Sequence, residues 1–133
     1  MYDTIKAMKA LSDDTRLRML CLLTLRECCV CEVMQTLSIS QTRASRNLNM
    51  LYDAGFLKMR KEGLWSLYSI DEEAMKGYLG DLTRVVSRAL ADNQITMQDR
   101  ERLTRAKRVG PGCVNKVSSK ASSRHAQAYW PTR

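Results

Sequence analysis

The sequence lacks most of the features that build a catalytic or membrane-spanning protein. Among 133 residues there is one histidine, His125, and no run of about 18 apolar residues that could cross a bilayer. With no other histidine to act as a general base beside a cysteine nucleophile, we predict that the protein is not an enzyme. The first residues show no basic segment followed by an apolar stretch, so we expect a cytoplasmic protein with no membrane attachment.

Cysteine is present in an odd number, which argues against a disulfide framework. Of the five cysteines, four crowd into Cys21, Cys28, Cys29 and Cys31. In a reducing compartment such thiols more often bind a metal or sense oxidants than form cross-links. The cluster therefore predicts a thiol site of one of these two kinds.

The net charge of +8 is unevenly distributed along the chain. Residues 1–98 hold 13 basic and 12 acidic residues, whereas the remainder holds 9 basic and 2 acidic ones. A positive balance favours a polyanionic partner such as nucleic acid. We predict a DNA-binding and dimerisation domain over residues 1–95, and a basic, flexible C-terminal tail over residues 96–133, within which a polar helix over 96–107 remains an option.

The apolar spacing in the first half predicts a helix-turn-helix. A short helix over residues 3–11 and a buried second helix after Ser12 precede a third helix, in which Val30, Val33, Met34 and Leu37 share a face. Residues 38–40 form a tight turn, and Ser40 can cap a fourth helix that ends at Gly55. This helix is expected to bury Ala44, Leu48 and Leu51. Two short helices joined by three residues are typical of this motif.

The second half predicts a β-hairpin and a long helix. Strand-like residues 57–61 and 64–70 flank a turn at Glu62-Gly63. Asp71 can then cap a helix whose apolar stripe runs from Met75 to Ala89, more than a small domain can bury alone. The predicted fold is mainly α with a small β-hairpin, a winged helix-turn-helix dimerised through the first helix and the long helix after the wing.

Polar and basic side chains cluster where such a fold would meet double-stranded DNA. Near the start of the fourth helix, amides, hydroxyls and guanidiniums could bind base edges in the major groove, and basic residues of the wing could bind phosphates. The predicted DNA-binding residues are Ser40, Gln41, Thr42, Arg43, Ser45, Arg46, Asn47, Lys58, Arg60 and Lys61.

Three stretches of the chain resemble the ArsR/SmtB family of metal-sensing winged-helix repressors, in particular its arsenic-responsive members. Residues 10–20 (ALSDDTRLRML) are similar to the family's opening ALSDPTRLRIL, and residues 27–33 (ECCVCEV) to its sensor box ELCVCDL. Residues 40–48 (SQTRASRNL) and 51–57 (LYDAGFL) are similar to SQPTVSHHL and LREAGLV. The resemblance covers roughly residues 5–90.

This resemblance implies a homodimeric repressor on palindromic operator DNA that is released when trivalent arsenic or antimony binds cysteine thiolates. Cys29 and Cys31 match the first two cysteines of the sensor box. Where the arsenic sensors have a third cysteine, this chain has Met34, so Cys28 and Cys113 are the candidates for the third ligand. The histidine-rich site of the family's zinc sensors is absent from the long helix.

Helix geometry separates the two possible cysteine pairs. Three residues apart, Cys28 and Cys31 would share a face of an ideal helix, whereas Cys29 and Cys31 align only in extended chain. We therefore expect ion binding by Cys29 and Cys31 to distort the start of the third helix. This distortion would displace the fourth helix, which is the recognition helix of the motif. Cadmium or lead as the inducer, and oxidation of the thiols in place of ion binding, are the alternatives for the same fold.

Overall fold

The computed structural model describes residues 1–109, which form six helices and a three-stranded antiparallel sheet. The elements are α1 (Tyr2–Leu11), α2 (Asp14–Leu23), β1 (Cys28–Cys29), α3 (Val30–Leu37), α4 (Gln41–Asp53), β2 (Leu57–Glu62), β3 (Trp65–Ile70), α5 (Tyr78–Ala89) and α6 (Gln94–Arg105). The winged helix-turn-helix that the sequence predicts is confirmed. No helix within this described range is long and apolar enough to cross a membrane.

The helix-turn-helix consists of α3 and α4. Ser38, at φ 57°, ends α3 in the left-handed conformation, and its backbone N–H donates to the carbonyl of Met34. Ser40 then caps α4, because its hydroxyl accepts from the backbone N–H of Arg43. Ala44, Leu48 and Leu51 point from α4 into the core, as the sequence predicts.

The wing is the β2–β3 hairpin, in which Leu57 pairs with Ile70 and Glu62 with Trp65. The two residues between the strands are Gly63 and Leu64, one position later than predicted, and Gly63 takes φ 62°. On its other edge β3 pairs with β1, whose two residues the sequence analysis did not identify as a strand.

The helix after the wing begins at Tyr78, not at Asp71 as predicted. Asp71 caps only a short 3-10 turn over Ala74–Lys76, which ends in extended backbone at Gly77. A Cβ atom at Gly80 would lie 1.8 Å from the carbonyl oxygen of Met75, so α5 packs on that turn through a residue without a side chain.

The folded region extends past the boundary predicted at residue 95. Helix α6 packs on α2 and α3, with Leu103 in the core and Thr96 and Asp99 buried. Residues 96–105 therefore form a packed helix, which agrees with the polar helix considered over 96–107 and not with a tail that is flexible from residue 96. Residues 110–133, including Cys113 and His125, lie outside the described range.

Candidate nucleic-acid interface and thiol site

The first two turns of α4 present a polar surface. Thr42, Arg43 and Arg46 are exposed, and Gln41 and Ser45 are half-buried and joined by a hydrogen bond of 3.0 Å from Gln41 Nε2 to Ser45 Oγ. In a helix-turn-helix these N-terminal positions of the second helix face the major groove. The arrangement can therefore supply guanidinium, amide and hydroxyl groups to base edges and phosphates.

Asn47, predicted to contact DNA, lies on the buried side of α4. It is only 7% exposed. Its Oδ1 accepts from Arg16 Nη1 at 2.8 Å, and its Nδ2 donates to the carbonyl of Arg43 at 3.0 Å. Asn47 follows Ala44 by three residues and so flanks the buried stripe, a signal the sequence analysis missed. Its amide joins α4 to Arg16 of α2 and is not presented on the polar surface formed by Thr42, Arg43 and Arg46.

The wing's basic residues lie on opposite faces of the sheet. Lys61 pairs with Ser66 across the hairpin and donates to its hydroxyl at 2.9 Å. That face also carries Tyr68, whose hydroxyl donates to Asn49 of α4, so Lys61 lies on the same side as the recognition helix.

Arg60 forms ion pairs with two carboxylates on the other face of the sheet, where Lys58 also lies. It contacts Glu27 at 2.8 Å and Glu62 at 2.9 Å, and these hydrogen bonds raise the pKa of Arg60. Two neighbouring negative charges offset its positive charge. The charge of Arg60 is therefore less available to a phosphate than that of Lys61.

Cys29 and Cys31 meet at the start of α3. Cys29 precedes the helix with φ −84° and ψ 169°, while Cys31 lies in its first turn. Because Cys29 is extended, the two Sγ atoms approach to 2.7 Å, and both residues are buried. The extended geometry that the sequence analysis required for this pair is thus already present without any unwinding of α3.

Cys28 is separated from that pair by the strand. Adjacent residues of β1 point to opposite faces, and Cys28 Sγ lies 3.6 Å from the carbonyl of Arg26. Cys28 and Cys31 do not share a helical face, because α3 begins only at Val30. Burial raises the pKa of the Cys28 thiol to about 12. Across residues 1–109, no three His, Cys, Asp or Glu side chains converge as a metal site.

Glu32 is a buried charge beside the thiol pair that the sequence analysis did not single out. Its Oε1 accepts from the backbone N–H of Cys29 at 2.8 Å, which closes a capping box. It also contacts Arg26 at 2.7 Å and Arg108 at 3.1 Å. Burial raises the pKa of Glu32, but these hydrogen bonds outweigh it and leave the pKa below its usual value. The spacing of Cys29 and Glu32, as N-cap and third helical residue, was the available signal.

Known proteins share both the sequence pattern and the fold. Residues 13–59 match the family described as "Bacterial regulatory protein, arsR family". A cadmium resistance transcriptional regulatory protein CadC homolog from Staphylococcus aureus is 44% identical over 75 residues, which cover 56% of this chain and 62% of that protein. The arsenic resistance transcriptional regulator ArsR2 of Pseudomonas putida is 36% identical over 96 residues, which cover 68% of this chain and 83% of that regulator.

A solved structure gives the same picture of the fold. It is the solution structure of the homodimeric winged helix-turn-helix DNA-binding domain of a possible ArsR-family transcriptional regulator from Mycobacterium bovis. The TM-score is 0.58 at 27% identity, and the match covers 69% of this chain and 82% of that one. The chain spans less than two thirds of the CadC homolog but most of this domain.

Proposed function

The chain belongs to the arsR family of bacterial regulatory proteins, and we propose that it is a homodimeric repressor that releases operator DNA when trivalent arsenic or antimony binds Cys29 and Cys31. The observation that carries the proposal is the approach of the two Sγ atoms to 2.7 Å at the start of α3. Thiolates select soft ions, and only the three-residue turn separates α3 from α4. An ion at this pair therefore acts close to the recognition helix.

DNA recognition rests on α4 and the wing. Arg46 and Thr42 enter the major groove in this proposal, and Lys61 binds a phosphate on the same side of the sheet. Two subunits are needed for a palindromic site. Exposed apolar side chains on α1 and α5 support a two-fold interface there; they are Tyr2, Ile5, Met8, Tyr78 and Val85.

Release follows from the crowding of the two sulfurs. Each As–S bond forms as a thiol proton and a hydroxyl group of arsenous acid leave together as water. Two thiolates bound to one ion through bonds of about 2.3 Å must lie farther apart than the 2.7 Å seen here for any S–ion–S angle of about 90° or more, so ion binding would separate Cys29 and Cys31. A typical allosteric coupling of about 1–3 kcal/mol would then weaken operator binding by about 5- to 150-fold.

A third thiolate would complete the coordination that trivalent arsenic prefers. Cys28 points away from the pair and is held as a buried thiol. Cys113 follows the described residues by only a few positions, and we prefer it to Cys28 as the third ligand. Cadmium is the second candidate inducer, because the CadC homolog is 44% identical over its match.

The test measures operator affinity with and without each ion. Duplexes selected by the purified protein from a random pool serve as the probe, and binding is followed by fluorescence anisotropy with arsenite, antimonite or cadmium. Cys29→Ser and Cys31→Ser should abolish the response, whereas Cys21→Ser, half-buried on α2, should retain it. Unchanged induction in both of the first two variants would contradict the proposal, and release by peroxide in metal-free buffer would favour thiol oxidation instead.

A further inference from the structure

The segment after α6, residues 106–109, is hydrogen-bonded to α3, the helix that begins at the thiol pair. Gln35 Nε2 donates to the carbonyl of Lys107 at 2.6 Å, and the backbone N–H of Lys107 donates back to Gln35 Oε1 at 3.1 Å. The side-chain amide of Gln35 thus binds both the backbone C=O and the backbone N–H of Lys107, as a neighbouring strand would. This pairing fixes the chain at residue 107 against α3 and directs the next side chain, Arg108, over Glu32.

Arg108 contacts both the first turn of α3 and the wing. Its Nε donates to Glu32 Oε1 at 3.1 Å. Its guanidinium carbon lies 5.8 Å from the centre of the Trp65 ring, and its Nη1 lies 4.0 Å from Glu62. Trp65 and Glu62 are the two residues that flank the turn of the hairpin. One side chain therefore joins α3 to the tip of the wing.

The contact with Glu32 is shared with the thiol pair. The same oxygen, Glu32 Oε1, accepts from the backbone N–H of Cys29 and from Arg108 Nε. Any displacement of Cys29 therefore changes the acceptor that holds Arg108. On the wing, the buried Trp65 indole N–H has no acceptor within residues 1–109, so the ring is held by packing and by the cation above it.

We propose that Arg108 is the positioning residue that couples occupancy of the Cys29–Cys31 pair to the wing. This inference rests on the proposed function and adds a route that bypasses the recognition helix. When the sulfurs separate, Glu32 shifts, Arg108 follows its carboxylate, and the Trp65 edge of the wing loses its support. The wing then no longer presents Lys61 to the phosphate backbone in the repressing geometry.

Arg26 makes the proposal testable without loss of the fold. It contacts the other oxygen of Glu32 at 2.7 Å, so the buried carboxylate keeps a cationic partner when Arg108 is removed. Arg108→Ala should therefore leave the fold and arsenite binding intact. Because it removes the support of the wing, it should weaken unliganded operator binding toward the arsenite-bound level. The matched control is Arg105→Ala, which removes an exposed arginine of α6 whose ion pair within residues 1–109 is with Glu101.

The experiment compares the ratio of operator Kd with and without arsenite in the full-length protein. Arg108→Ala should reduce this ratio by about 3- to 30-fold, whereas Arg105→Ala should leave it at the wild-type value. A second readout uses a Trp130→Phe background, in which Trp65 is the remaining tryptophan. Arsenite should change its emission, and Arg108→Ala should abolish that change.

The outcomes separate the two hypotheses. If wild-type protein shows no dependence on arsenite or cadmium, the proposed function fails and this inference fails with it. If wild-type protein responds and Arg108→Ala responds equally, only the role of Arg108 is overturned. If Arg108→Ala no longer consumes thiols when arsenite is added, Arg108 belongs to the ion site itself, which also overturns the coupling role.

Discussion

Arg18 and Asp99 are joined by two hydrogen bonds of 2.8 Å, although 81 positions separate them in the sequence. Arg18 lies on α2 and Asp99 on α6, and the carboxylate side chain is 3% exposed. Planar bidentate geometry makes this one of the stronger kinds of ion pair. It holds α6, and with it the segment that carries Arg108, against the rest of the domain.

Removal of Asp99 should therefore destabilise the protein. We expect Asp99→Ala to lower the free energy of unfolding by about 3 kcal/mol, because Arg18 loses its partner while partly buried. Glu101→Ala, which breaks an exposed pair on the same helix, should change it by no more than about 0.5 kcal/mol. Urea denaturation of both variants measures the difference. Equal losses would show that the ion pair does not hold α6.

Substitutions at the neighbouring residues Asn47 and Arg46 should affect different properties, the first the stability of the fold and the second the affinity for DNA. Asn47→Ala leaves the buried donor of Arg16 without its acceptor and should lower the free energy of unfolding by about 1–3 kcal/mol. The exposed Arg46 should cost little stability when replaced by alanine, but about 1–3 kcal/mol of operator binding if it reads a base. Thermal melts and anisotropy titrations test the pair, and a loss of stability in Arg46→Ala alone would contradict the assignment.

Local patterns in the sequence predicted the helices and the turn, whereas long-range partners escaped them. The cap at Ser40 and the stripe of Ala44, Leu48 and Leu51 depend on neighbours a few residues away, and the structure confirms them. Strand β1 is two residues long and forms only because β3, some 40 residues later, offers an edge. No periodicity can reveal so short an element.

The thiol site likewise combines features that local sequence reveals with features that depend on distant residues. Its members were evident from the crowding of cysteines, but their geometry depended on where α3 begins. Because β1 ends at Cys29, α3 starts at Val30, and the sulfurs that approach each other are those of Cys29 and Cys31 and not those of Cys28 and Cys31. Arg108 was missed because its role arises from a contact with Glu32 across 76 positions.

Substitutions on the two faces of the wing should change the salt dependence of operator binding by different amounts. Lys61→Ala should reduce the slope of log Kd against log salt by about 1, since one phosphate contact is lost. Arg60→Ala should change the slope less, because Glu27 and Glu62 already offset its charge. Operator titrations between low and physiological salt measure both slopes. A larger change for Arg60 than for Lys61 would show that the opposite face of the sheet meets the DNA.

Buried Cys28 should make the metal-free protein sensitive to alkaline pH. Burial raises the pKa of this thiol from 9.0 to about 12, so between these values the unfolded chain loses a proton that the folded chain keeps. The unfolded state then binds fewer protons, and the stability contributed by this group falls as pH rises, by up to about 1.4 kcal/mol per pH unit.

Replacing the thiol by a group that does not ionise should remove that part of the decline. We expect Cys28→Ala to be less stable than wild type at pH 8, because it leaves a small cavity, and to lose less stability between pH 9 and pH 11. Urea denaturation in the presence of a chelator and a reductant measures both curves. Parallel curves would mean that Cys28 titrates near its ordinary pKa in the folded protein, and its exclusion from the ion site would then rest on the direction of its side chain alone.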